Sequence, residues 1–310
     1  MLGDMRNGVL AVVTALLVAV VAAGCGGSNA VGGGGGALRV VATTTQVQDF
    51  TRVIGGDRVQ VTGILKPNAD AHDYEPSPAD LDAIARADVL VENGVGLEHW
   101  LTDTVKSAEF KGVTVDTSSG VRLRKGAEEG EAYDPHIWQD PRNAKVMCAN
   151  IERALARARP ADAATFAANL RAYDAKLDAL DAGIARQIAG LANKKLVTNH
   201  DAFGYYVARY GLDFVGSIIP SFDTSAELSA RSVQNLVARI KATKVKAIFS
   251  ETSLPPRTAE TIAREAGVRV VEGENALYGD SLGPAGSDGD TYLKMMQHNT
   301  RTIVAALSGT

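Results

Sequence analysis

The chain has 310 residues, with Lys+Arg 32 against Asp+Glu 36, a formal net charge of -4, 45% hydrophobic and 22% charged residues. That balance excludes a collagen, a coiled-coil rod and a wholly disordered chain, and the length allows two domains at roughly 100 to 200 residues each. Nucleic-acid binders carry a strong positive excess on one face, so a mildly acidic chain is expected to have no nucleic-acid partner.

The first feature along the chain is an apolar run, residues 9–23, in which Thr14 is the one polar member. Fifteen residues fall short of the roughly 20 that span a bilayer and suit the core of a signal peptide. Arg6 precedes the run and Ala22-Ala23-Gly24-Cys25 follows it. This junction resembles the lipobox of bacterial lipoproteins, in which small residues admit the peptidase and the cysteine thiol receives a diacylglyceryl group. Residues 1–24 therefore read as a lipoprotein signal peptide, with Cys25 as the lipidated first residue of the mature chain. An ordinary secretory signal with a chance cysteine is the alternative. Ala22 stands where that motif usually has Leu, and Asp4 offsets Arg6, which points to Met5 as the true start. Residues 25–37 are a Gly-rich tether with nothing to bury, and two acyl chains on Cys25 would anchor it stably where one would not. Cys148, the other cysteine, falls in a predicted helix as a small buried residue, so no disulfide framework is expected.

From residue 38 onward, short β-branched runs alternate with amphipathic stretches, which is the pattern of parallel α/β architecture. Strands are expected at 38–42, 59–65, 89–92 and 113–116, with helices at 46–54, 78–86, 98–106 and 141–158. A second set repeats the pattern, with strands at 195–198, 214–219, 247–250 and 268–272 and helices at 202–210, 226–243, 257–266 and 288–306. Between the sets, Phe166, Leu170, Tyr173, Leu177, Leu180, Ile184, Ile188 and Leu191 recur every three or four residues, as on one helical face. Residues 161–191 would make a rod of roughly 47 Å, opened by Pro160 and closed near Gly190. The expected fold is thus two (β/α) lobes with parallel sheets, residues 38–159 and 193–310, joined by one long rigid helix within 160–192. A surface helix on one larger domain fits the same periodicity.

In open parallel sheets, ligand-binding residues come from loops at the carboxyl ends of strands. Of five histidines, three sit in such loops: His72 after the second strand, His136 after the fourth and His200 after the fifth. Asp280 follows the last strand. Imidazole nitrogens and a carboxylate suit zinc and neighbouring divalent ions, and four of them close a tetrahedral site. His72, His136, His200 and Asp280 would supply two ligands from each lobe. The competing reading is that His72 and His136 merely satisfy loop hydrogen bonds, and no HExxH pattern strengthens the metal reading.

The stretches KPNADAHDYEPSPADL, ENGVGLEHWL, DPHIWQDPRNA, VTNHDAFGYYVARYGL, LYGDSLG and GDTYLKMMQHN together resemble the zinc/manganese solute-binding lipoproteins of ABC transporters, the cluster A-I family that includes the ZnuA-like proteins. The likeness runs from Leu38 to the last helix. It implies two (β/α) lobes linked by a long helix, the same four ligands, and no enzymatic activity. It also implies a lipid-anchored, extracytoplasmic monomer that delivers its ion to an ABC permease and its ATPase. Family members with His at the third ligand position are often zinc proteins and many manganese members carry Glu there, so His200 implies Zn(2+), with Mn(2+) as the alternative. Residues 122–132 lack the His-rich loop of many zinc-type relatives and carry Glu128, Glu129 and Glu131 instead, which weakens that implication.

Several further polar residues have plainer roles. Glu251 is expected to support a histidine from behind the ligand shell, with direct ligation the second reading. Asp134 and Asp140 read as turn and helix-cap residues, His99 as a surface histidine, His298 as remote from the strand ends, and Trp100 and Trp138 as packing residues. Histidines coordinate when neutral, so affinity is expected to fall as the pH drops toward ~6. A secreted zinc hydrolase would keep a coordination position open for water, and the sequence holds neither GxSxG nor a P-loop.

Overall fold

A computed structural model describes residues 36–126 and 133–308. The signal peptide, Cys25, nearly all of the tether and Glu128, Glu129 and Glu131 lie outside the described residues. The first lobe holds β1 (Leu38–Ala42), β2 (Val59–Gly63), β3 (Val89–Glu92) and β4 (Val113–Asp116), interleaved with α1 (Thr45–Gly55), α2 (Pro78–Arg86) and α3 (Leu101–Ser107) and followed by α4 (Pro141–Ala158). After α5 (Ala163–Ala189), the second lobe holds β5 (Lys195–His200), β6 (Asp213–Ile219), β7 (Ala247–Phe249) and β8 (Arg269–Val271), with α6 (Gly204–Tyr210), α7 (Ala230–Thr243), α8 (Arg257–Ala266) and α9 (Tyr292–Ser308).

Both sheets are parallel and share one order, β2-β1-β3-β4 and β6-β5-β7-β8. In each, the chain changes direction of winding beside its first strand, and a crevice opens there at the carboxyl edge. The strands read as apolar runs because helices cover both faces of a parallel sheet, leaving Val89, Leu90 and Val91 fully buried. One apolar cluster extends from Val40 and Val89 through Phe166, Leu177 and Ile184 of α5 to Leu196, Phe249 and Met295. A smaller one, with Ile218, Ile240 and Ile262, lies wholly in the second lobe. The lobes are therefore packed together through α5 and α9 as well as tied by the chain. Phe50 of α1 meets Tyr292 of α9 edge-on at 4.8 Å.

The differences from the expected elements have local causes. The long helix opens with a 3-10 turn, Pro160–Asp162, and its α-helical part is 27 residues, about 40 Å at 1.5 Å per residue. The helix expected from residue 98 starts at Leu101, because the Glu98 carboxylate folds back to accept the Asn93 and Gly94 N–H groups and the Thr43 hydroxyl. α7 starts at Ala230, where Ser229 caps it by accepting the Ser232 N–H. α9 starts at Tyr292, whose N–H is taken by Asp49 of the other lobe at 2.9 Å. β5 runs on through His200, so that histidine sits on the end of a strand, held more firmly than a loop would hold it.

Candidate metal centre

His72, His136, His200 and Asp280, between 64 and 208 positions apart in pairs such as His72 with His136 and His72 with Asp280, meet at the seam between the lobes, their ligand atoms all within 4.8 Å of one another. His72 Nε2 lies 3.2 Å from His136 Nε2, and His200 Nε2 lies 3.4 Å from the same atom. Asp280 Oδ1 is 3.4 Å from His136 Nε2 and 3.3 Å from His200 Nε2, while Oδ2 is 3.7 Å from His72 Nε2. A tetrahedron with bonds of roughly 2.0–2.1 Å has edges of about 3.3 Å, so these spacings fit one small ion at the centre. Both oxygens of Asp280 are buried without a hydrogen-bond partner, an arrangement that costs free energy unless a cation faces them.

The ring orientations are set from behind. His136 Nδ1–H donates to Asp134 Oδ1 at 2.8 Å, and the other Asp134 oxygen is paired with Arg124. His200 Nδ1–H donates to Glu251 Oε1 at 3.0 Å, and the same oxygen accepts the His200 backbone N–H. Such carboxylates fix the tautomer and leave Nε2 free to coordinate. Glu251 thus lies behind the ring of His200. Its approach depends on Gly279, where a Cβ would fall 1.9 Å from Glu251 Oε2. Asp134 has a role the sequence reading missed. It sits two residues before His136 and next to Pro135, so its turn signature hid a direct bond to the ring. Asp140 does cap α4, accepting the Arg142 N–H.

The segment carrying Asp280 is tied to the first lobe. Gly279 O accepts from Trp138 Nε1 at 3.1 Å and Gln139 Nε2 at 3.2 Å, Tyr292 OH donates to Trp138 O, and Leu282 N–H donates to Thr45 Oγ1. Trp138 is therefore a buried packing residue with a further hydrogen-bonding duty. A bridge between Glu251 and Leu277 sets the other side of this segment. His298, though buried, donates its Nε2–H to Ala276 O at 3.0 Å and stays outside the cluster, and His99 is exposed. Cys148 is buried in α4, with burial pushing its thiol well up.

The electrostatics separate the three imidazoles. Burial pushes His72 down to about 4, against the pull of Asp280. Burial also opposes charge on His136, but the hydrogen bond to Asp134 and the nearby charges of Asp134 and Asp280 outweigh it and raise the group to about 9. His200 lies well above its ordinary value for the same reason, with Asp280 and Glu251 overcoming burial. Asp280, despite burial, is held well below the usual carboxylate range by His200, His136 and His72. Asp280 and the imidazoles of His136 and His200 thus favour opposite charges on one another, and a cation at their centre would compete with protons there.

Fold and cluster define a two-lobed solute-binding protein with a polar seam. The model of the family described as "Zinc-uptake complex component A periplasmic" matches residues 40–306. The iron ABC transporter substrate-binding lipoprotein MtsA of Streptococcus pyogenes is 32% identical over 280 residues, 87% of this chain and 89% of the relative. The zinc-binding protein TroA of Treponema pallidum is 32% identical over 275 residues, 87% of this chain and 88% of the relative. The solved structure of the latter, described as a periplasmic zinc binding protein, superposes with a TM-score of 0.81 at 29% identity, covering 88% of this chain and all of that one. A manganese-bound periplasmic metal binding protein from Candidatus Liberibacter asiaticus gives 0.77 at 25% identity, covering 87% and 99%. The chain belongs to the zinc-uptake component A family, the metal-binding substrate-binding proteins of ABC transporters.

Proposed function

We propose that the chain captures one zinc ion between its lobes, with His72, His136 and His200 each giving Nε2 and Asp280 giving a carboxylate oxygen, and delivers it to the permease and ATPase of an ABC importer. The observation that carries this reading is the set of 3.2–3.7 Å spacings around a buried carboxylate that no hydrogen bond satisfies. Three imidazoles and one carboxylate form a borderline donor set suited to zinc, and four side chains leave no position reserved for a reacting water. In the mature protein, residues 1–24 are removed, Cys25 carries the lipid, and 25–37 hold a monomer at the outer face of the membrane. Lobes 38–159 and 193–310 give two ligands each and 160–192 link them. The lipoprotein relatives and the family's periplasmic description support this placement, and among the described residues no helix is long and apolar enough to cross a membrane.

One observation favours a second reading. Both Asp280 oxygens face the cluster, and binding through both would give five donors, an arrangement open to manganese or iron(II). Elemental analysis of the protein loaded from an equimolar mixture of zinc, manganese and iron(II), kept anaerobic, decides between them. One equivalent of zinc, lost in both His200→Ala and Asp280→Ala with folding intact, is the expected result. Equal loading in those variants would overturn the site.

A further inference from the structure

The four side chains of the cluster are not held alike. His136 and His200 each have a buried carboxylate on Nδ1, and Asp280 rides on a segment that Trp138 and Gln139 grip through Gly279 O. Among the described residues His72 has no hydrogen-bond partner on Nδ1. What fixes it is its backbone: the His72 N–H donates to Asp70 Oδ1 at 2.9 Å. The other oxygen of Asp70 accepts the hydroxyl of Thr224, from the loop after β6 in the opposite lobe, at 2.6 Å.

That opposite loop is itself well anchored. Ser221 O accepts the Asp201 N–H, Phe222 is buried with its ring 6.2 Å from that of His136, and Asp223 Oδ1 accepts the Ser225 N–H and hydroxyl to close a tight turn. The loop carrying His72 has no regular secondary structure between β2 and α2, and the Asn68 N–H in it also donates to Leu282 O of the second lobe at 3.1 Å. Thr224 therefore offers the His72 turn a fixed point across the seam.

We propose that Thr224 and Asp70 form a latch that positions His72 across the lobes, so that their hydrogen bond sets how long a captured ion is retained. This rests on the proposed metal site. His72 is the ligand with the least support behind its ring, and losing its bond to the ion leaves three ligands that stay fixed. Release then begins with the Asp70 turn moving away from Thr224, and a partner that separates the two loops gains access to the ion without disturbing the core.

The test is zinc release from the full chain into excess chelator, followed by stopped flow, for wild type, Thr224→Val and Thr224→Ser. Thr224→Val keeps the volume and removes the donor. It is expected to speed release about tenfold, the factor worth one hydrogen bond to a charged acceptor, with melting of the metal-free protein and zinc stoichiometry unchanged. Thr224→Ser restores the hydroxyl and is expected to release at the wild-type rate. Thr224→Val releasing at the wild-type rate would overturn the latch, and so would equal acceleration in Thr224→Ser, which would indicate lost packing. Failure of the site itself has a different signature: wild type would hold no zinc, or Asp280→Ala would hold as much, and the latch would fall with it.

Discussion

The two sides of the cluster are built on different physical terms. Around His136 and His200 the ring orientations are fixed by buried carboxylates, and the backbone just before Asp280 is held by two side-chain donors on Gly279 O. Around His72 the backbone turn is held by Asp70, whose other oxygen accepts the Thr224 hydroxyl from across the seam. A site can therefore be preorganised for affinity on one side and detachable on the other. The core repeats this division: α5 and α9 join the lobes through a common apolar cluster, while the polar loops above it carry the ligands.

The largest expected effect is the loss of the shared carboxylate. Asp280→Ala should weaken zinc binding by more than the roughly 10- to 100-fold typical of outer-shell changes, measured by competition with a chelator of known affinity. Glu251→Gln and Asp134→Asn keep the shape but remove the charge behind His200 and His136. Each is expected to cost about 10- to 100-fold in the same assay, and wild-type affinity in both would deny the buried partners any part in holding the ion.

Protons should report the same asymmetry. His136 is held at about 9 and His200 is raised in the same direction, whereas His72 is pushed down to about 4, so His136 is expected to carry its extra proton at neutral pH in the metal-free protein and His72 to be neutral. Zinc uptake at pH 7 should then release protons, which calorimetry in buffers of different ionisation enthalpy would count. Affinity should keep rising with pH up to about 9, a window higher than the ~6 that free imidazole suggests. The stability of the metal-free protein should run the other way. A group raised in the folded state contributes fully below its unfolded value of roughly 6.5, and this contribution fades as the pH passes through about 9. Proton release near zero, with affinity flat from pH 6 to 9, would contradict this charge assignment.

The smallest expected effect on the ion comes from the core. Leu177 is fully buried on α5, and Leu177→Ala should cost about 2–5 kcal/mol in denaturant unfolding. Zinc affinity should change by less than about threefold, since the ligands are held by hydrogen bonds within the seam. A parallel loss of affinity would mean that lobe packing, rather than these bonds, sets the cluster.

Much of this was legible in the sequence where the cause is local. The strands at 38–42, 89–92 and 113–116 and the helices at 78–86, 141–158 and 257–266 have the bounds read from β-branched runs, caps and prolines. Asp140 before Pro141 marks the start of α4 because one residue caps and the next presets the first turn. Elements went astray where a distant group decides the end: α9 waits for Asp49, 243 positions away, and α3 is delayed by Glu98 turning back to Thr43. The four cluster residues were legible because strand-end loops are few and histidines fewer. The partners behind them were less so. Glu251 could be placed from its strand end, Asp134 was read as a turn residue although it lies two positions from His136, and Thr224 meets Asp70 across 154 positions with no pattern to announce it.

X-ray absorption at the zinc edge of the loaded full chain counts the donors around the ion. The expected result is a four-donor shell of three imidazole nitrogens at about 2.0–2.1 Å and one carboxylate oxygen at about 2.0–2.2 Å, reduced by one imidazole in His136→Ala. A shell dominated by water oxygens, or an imidazole count that His136→Ala leaves unchanged, would contradict it.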